Sequence, residues 1–248
     1  MTLSVPTSVA HPARLLVLNP NTNPEVTRKV RLLAEPFAHA CLHIDVHNPA
    51  QGPLSIENAA HRAEAERQVL ALLAALPQPR PDAVVLACFD DLALEAARSQ
   101  TGRPVVGCCE AGIAAARQAS ARFAIVTTVH EAVPGIRTLM LRYGAGPQAT
   151  VRAAGIGVAA AAEAGDAATA AILRAAREAI AQDGAQAILL ASGGLAGLAP
   201  LLRTQLGVPV VDAVEAAVAQ AAELLAPAPD HRGSGQGRPA TGTQLPGS

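Results

Sequence analysis

The chain repeats itself. DAVVLACFDDLAL (82–94) lies over QAILLASGGLAGL (186–198), so that Ala83-Val84-Val85-Leu86-Ala87 matches Ala187-Ile188-Leu189-Leu190-Ala191. After one extra residue in the second copy, PVVGCCEAGIAAA (104–116) lies over PVVDAVEAAVAQA (209–221). Upstream, RLLVLNPNT (14–22) lies over RFAIVTTVH (122–130). Each copy reads strand, helix, strand, helix, strand, helix, in apolar runs of four to six residues bounded by polar turns. A unit written twice restricts the fold more than any single motif, because both copies must satisfy the same packing.

The apolar strands alternate with helical stretches such as Ala59–Leu76 and Ala167–Gln182. That alternation predicts an α/β fold: two similar parallel-sheet domains related by a pseudo-two-fold, facing each other across a cleft. Half the residues are hydrophobic but only 2% are aromatic, so the core must be built from Ala, Val, Leu and Ile. The expected division is residues 14–105 plus 206–226 in the first domain and 106–205 in the second. The termini, 1–13 and 227–248, are expected to be disordered, since PAPDHRGSGQGRPATGTQLPGS carries no apolar period. Ligands of such sheets bind beyond the carboxyl ends of the strands. Those ends are NPNT (19–22), CFDD (88–91), TTVH (127–130) and SGGL (192–195). The repeat thus sets Cys88 and Ser192 on opposite walls of one cleft.

Several classes are disfavoured. The net charge is −1 and lysine occurs once, at Lys29, so no cationic run is available for nucleic acid or an anionic membrane. The longest uncharged run, 184–202, is broken by Gly193, Gly194, Gly197 and Pro200 and reads as strand–turn–helix, not as a membrane span. The first residues, MTLSVPTSVAHPA, lack the basic and apolar regions of a signal peptide. With four cysteines in so long a chain, free thiols and a cytoplasmic location are expected.

Seven segments, in order, carry a family resemblance: LVLNPNTNPEVT (16–27), GPLSIEN (52–58), DAVVLACFDD (82–91), RPVVGCCEAG (103–112), FAIVTTVHEAVP (123–134), LASGGLAGL (190–198) and VPVVDAVEAAV (208–218). Across residues 14–225 the chain resembles the hydantoin racemase branch of the aspartate/glutamate racemase superfamily. The resemblance implies an isomerase with a small-molecule substrate (a hydantoin, an amino acid or a related acid), no metal and no organic cofactor. It also implies two cysteines flanking the substrate α-carbon, one taking the α-proton as the other delivers a proton to the opposite face. A homo-oligomer is compatible with it. Cys88 fills the first thiol position. Where the second is expected, this chain has Ser192.

A thiol has a reference pKa of ~8.5 and an unassisted hydroxyl one near that of water, ~15.7, so forming the alkoxide is about 10 kcal/mol harder. Ser192 therefore cannot act alone as the second base, though it can donate a hydrogen bond or relay a proton. Three readings are compatible: racemisation of an already acidic substrate such as a hydantoin, one-thiol decarboxylation or cis-trans isomerisation with Cys88 as sole acid/base, or ligand binding without catalysis. At a strand end leading to a helix, Cys88 is expected to feel a helix N-terminus that lowers its pKa. Substrate contacts are expected from Asn19, Asn21, Asp90, Thr127 and Thr128. The backbone N–H groups of Gly193 and Gly194 are suited to an enolate or carboxylate oxygen. Asn19, Asn21 and Thr22 are equally suited to a helix cap. Glu110 and Glu215 are expected at helix starts, His130 is the candidate assistant for Ser192, and the role of His61 stays open.

Overall fold

A computed structural model describes residues 11–226. The first half runs β1 (Ala13–Leu18), α1 (Pro24–Ala34), β2 (Leu42–His47), α2 (Ala59–Ala75), β3 (Ala83–Leu86), α3 (Leu94–Thr101), β4 (Val105–Gly107) and α4 (Cys108–Ala119). The second runs β5 (Phe123–Thr127), α5 (Val133–Arg142), β6 (Ala149–Ala153), α6 (Val158–Glu163), α7 (Asp166–Asp183), β7 (Ala187–Leu190), α8 (Ala199–Leu206), β8 (Val210–Asp212) and α9 (Ala213–Leu225). Each half holds a parallel four-stranded sheet with the same strand order, β2-β1-β3-β4 and β6-β5-β7-β8. The fold is α/β, two parallel sheets with flanking helices.

The registers repeat as well: Leu15 pairs with Ala83 in one sheet and Phe123 with Ala187 in the other. The central strands are buried throughout, which is why Val84, Val85, Ile188 and Leu189 form continuous apolar runs. Four strands per half, not three, arise because β2 and β6 are edge strands. In LHIDVH and ATVRA polar residues interrupt the apolar run and weaken its signal. Gly102 and Gly207 occupy one position of the repeat, each ending a helix in the left-handed region (φ 60° and 66°) just before a Val-Val strand.

The last helix of each half crosses over. α4 packs against β7 and β8, whereas α9 packs against β1, β3 and β4. The two helices meet closely, for a Cβ on Gly112 would lie 3.0 Å from both Ala213 Cβ and Leu189 Cδ1. Of the expected segment 206–226, β8 therefore sits in the second sheet and α9 on the first. Ala13, expected in a disordered terminus, instead begins β1: its N–H donates to the Cys41 carbonyl at 2.9 Å and it pairs with Leu42. Residues 1–10 and 227–248 of the expected termini lie outside the described residues. Among the described residues no helix is long and apolar enough to cross a membrane.

Candidate active site

The carboxyl ends of β1, β3, β5 and β7 converge on one cleft. Its polar lining comes from Asn21, Cys88, Asp90, Thr127, Thr128, Ser192 and the backbone of Gly193; Ile56, Phe89, Val129, Ala132, Ile136 and Val158 supply the apolar wall. Cys88 and Ser192 follow equivalent strands of the two sheets, β3 and β7, and both face this space. The walls approach closely here, since a Cβ on Gly193 would lie 3.5 Å from the Ala87 carbonyl and 3.2 Å from Val26.

Cys88 is not at a helix N-terminus. α3 starts six residues later, at Leu94, and the intervening turn holds Asp91 and Ala93 in the left-handed region (φ 46° and 62°). Burial pushes the Cys88 thiol well above its ordinary range, and the Asp90 carboxylate adds to the rise. Asp90 is itself paired, with Arg62 Nε donating to its Oδ2 at 2.6 Å. It is Asp91 that caps a helix, and the helix is α4. Asp91 Oδ1 accepts the Cys109 N–H at 2.8 Å, while Oδ2 accepts the Glu110 N–H at 3.1 Å and the Tyr143 hydroxyl at 2.8 Å. Burial nevertheless raises this carboxyl to about 6.

The second half solves the same problem with a different residue. Position 212, the repeat's counterpart of Gly107, is an aspartate that caps its own helix. Asp212 Oδ1 accepts from Val214 N–H at 2.9 Å and Glu215 N–H at 3.3 Å, and Oδ2 accepts from Gly197 N–H at 2.8 Å. Burial raises it to about 6 as well. In the first half Gly107 leaves that place empty and Asp91 fills it, for a Cβ on Gly107 would lie 2.5 Å from Asp91 Oδ1.

Ser192 has extended backbone and its Oγ accepts the Gly194 N–H at 3.3 Å, leaving the hydroxyl proton free to donate. Gly194 does not line the cleft. It packs on α6, where a Cβ would meet the Val158 carbonyl at 2.7 Å. Asn19 is also behind the wall, fully buried, with Nδ2 donating to Asn21 Oδ1 and Thr27 Oγ1, both at 3.0 Å. Asn21 Oδ1 accepts from the Asn23 N–H at 2.9 Å too, so Asn19 and Asn23 fix the Asn21 amide with Nδ2 available to the cleft. Of the two threonines, Thr127 donates its hydroxyl to the Ala191 carbonyl at 3.2 Å, a tie between strands β5 and β7. Thr128 is the one better placed for a ligand.

The other candidates are structural. Glu110 accepts from the Gly107 N–H and from Arg98 at the start of α4; Glu215 faces Arg203 at 3.7 Å in the matching place on α9. His61 Nδ1 accepts the Glu57 N–H at 3.4 Å and so shapes the loop before α2. His130 is exposed, lies over Gly155 and does not line the cleft, so it is not positioned to assist Ser192.

Residues 15–221 match the family model described as Asp/Glu/Hydantoin racemase. The chain belongs to this family. It is 38% identical over 210 residues to a hydantoin racemase of Rhizobium meliloti, covering 84% of this chain and 87% of the relative. It is 36% identical over 215 residues to one of Paenarthrobacter aurescens, covering 86% and 91%. Among solved structures, allantoin racemase from Klebsiella pneumoniae superposes with a TM-score of 0.81 at 34% identity, covering 86% of this chain and 87% of that one. These relatives make the chain an isomerase of the racemase type, acting on a small molecule. Arylmalonate decarboxylase (TM-score 0.60, 21% identity) and the maleate isomerase of Pseudomonas putida S16 (0.62, 19%) share the fold.

Five residues that sequence reading passed over shape this cleft and its surroundings. Arg62 and Tyr143 hold Asp90 and Asp91. Lys29, the sole lysine, reaches from α1 to the Ala161 and Gly194 carbonyls at 3.3 Å each. Glu57 Oε1 accepts the Val158 N–H at 2.8 Å, and with Lys29 it clamps α6 from the opposite half by both ends. Asp212 had a visible signal, the mismatch with Gly107 in an otherwise matched pair of segments; Lys29 had its singularity.

Proposed function

We propose that the chain racemises 5-substituted hydantoins without a cofactor, with Cys88 as the thiol acid/base and Ser192 as hydroxyl donor on the opposite face. What carries this reading is the shared cleft: Cys88 and Ser192 line it from equivalent strand ends of the two sheets. The Cys88 thiolate takes the proton from C5, and the electron pair moves onto the C4 carbonyl oxygen as an enolate. Ser192 then gives its hydroxyl proton to the other face of C5 as a water molecule reprotonates the serine oxygen, and the hydroxide so formed takes the proton now on Cys88, restoring the thiolate and the water. The Asn21 amide and the Thr128 hydroxyl suit the ring carbonyls, Asp90 suits a ring N–H, and the apolar wall takes the 5-substituent.

Burial keeps Cys88 protonated at rest, so the thiolate that starts the reaction is a minor species. Its share grows about tenfold per pH unit below the thiol pKa, and proton abstraction should rise with it. Polarimetry on a single enantiomer of 5-isobutylhydantoin tests the reading. Optical rotation should decay with the native enzyme, faster as pH rises, and persist with Cys88→Ala. Decay that survives Cys88→Ala, or that stops with EDTA, sinks it.

A further inference from the structure

We propose that Arg62 is a positioning residue for the Cys88 thiol, pinning the Asp90 carboxylate at the cleft mouth and balancing its charge. Asp90 lies two residues after Cys88, and both line the cleft. The Arg62–Asp90 contact is 2.6 Å, and the two side chains are only 28% and 15% exposed. A pair this withdrawn from water is screened far less than a surface pair. Without its partner, the carboxylate would act on the thiol as an uncompensated like charge and hold it protonated.

The placement of Arg62 is built in. It lies in the first turn of α2, its N–H donates to the Asn58 carbonyl at 3.0 Å, and the Asn58 side chain caps the helix. One terminal nitrogen comes within 3.8 Å of where a side chain on Gly135 would begin, so the guanidinium spans the junction with α5 of the other half. Oδ2 of Asp90 is the oxygen that Arg62 engages. The Asp90 backbone N–H also favours the thiolate, but it belongs to the main chain and stays in place whichever side chain is changed. Asp91 is committed to the start of α4 and to Tyr143, and Cys108 and Cys109 are kept protonated by burial. Arg62 is the cation that opposes Asp90 and Asp91 at Cys88.

The proposal rests on Cys88 being the acid/base thiol, and its test runs without substrate so that the two can fail separately. Alkylation of Cys88 by iodoacetamide is followed peptide by peptide as a function of pH, in the native enzyme and in Arg62→Gln, Arg62→Lys, Asp90→Asn and the Arg62→Gln/Asp90→Asn pair. Arg62→Gln should move the Cys88 profile about one unit to higher pH, about tenfold slower labelling at neutral pH. Arg62→Lys should largely restore it, and the double variant should return to the native profile or below. Exposed Cys41 and buried Cys108 and Cys109 report whether each variant is folded. If Arg62→Gln opens the buried pair, Asp90→Asn alone decides, by moving the profile to lower pH. Coincident profiles for Arg62→Gln and native enzyme, or no reversal in the double variant, overturn the proposal. A native enzyme that exchanges no α-proton overturns the proposed function instead.

Discussion

Replacing Tyr143 by Phe removes one oxygen from the far side of the Cys88 turn. That oxygen donates to Asp91 Oδ2 at 2.8 Å and ties the end of α5 to the other half of the molecule. Asp91 is 7% exposed and keeps its two bonds to α4 in the variant. A hydrogen bond to a charged group contributes about 1.5–3 kcal/mol, and the half-buried tyrosine belongs at the low end, about 1.5 kcal/mol. In a chain of this size that is a fall of about 3–6 °C in Tm. The loss should depend on pH. Burial raises the Asp91 carboxyl from 3.8 to about 6, so its stabilising contribution is fully present below 3.8 and is lost as pH rises through about 6. The tyrosine bond is among the forces that hold this value down. Without it the carboxyl titrates higher still, and the charged form that prevails at pH 8 is the one that suffers. Thermal unfolding followed by circular dichroism at pH 8 and pH 5 should show the deficit large at pH 8 and smaller at pH 5. An unchanged Tm at pH 8, or a deficit that grows on acidification, would refute the reasoning.

Two further outcomes follow from the same geometry. Gly107→Asp and Asp91→Gly should each lower the denaturant midpoint, the first by crowding Asp91 and the second by orphaning the Cys109 and Glu110 N–H groups. Combined, they transplant the Asp212 arrangement and should be less harmful than the sum of the two; strict additivity would contradict the pairing. Lys29→Met removes the bonds to the Ala161 and Gly194 carbonyls and should slow inversion more than α-proton exchange, because it loosens the turn that carries Ser192. Equal slowing of both would place Lys29 outside the positioning of that turn.

Much of this was legible because a duplicated α/β unit constrains itself. The matched segments brought the carboxyl ends of the central strands together, and with them Cys88, Ser192, Asn21 and Thr128. Less legible was the difference between a polar residue that faces the cleft and one that holds it. Asn19 and Asn21 are two apart in NPNT, yet Asn19 turns inward, where Thr27 and Asn21 satisfy it. Local spacing cannot separate those outcomes, since asparagine serves caps and ligands alike. Asp90 and Asp91 diverge for a tertiary reason: Arg62 lies 28 residues from the first and Tyr143 52 residues from the second. The helix start expected at Cys88 moved to Leu94 because Asp91 is drawn to α4, across the end of the sheet.

The central claim is that a thiol and a hydroxyl treat the two faces of one α-carbon unequally. Each enantiomer of a 5-substituted hydantoin, incubated with the enzyme in D₂O, gives two rates: α-deuterium uptake by NMR and inversion by chiral chromatography. The account predicts that one enantiomer takes up label faster than it inverts. Cys88→Ala should abolish both rates, and Ser192→Cys should speed inversion towards the rate of uptake, since a thiol ionises about seven pKa units more easily. Matched uptake and inversion from both enantiomers in the native enzyme, with Ser192→Ala and Ser192→Cys leaving them unchanged, would contradict it.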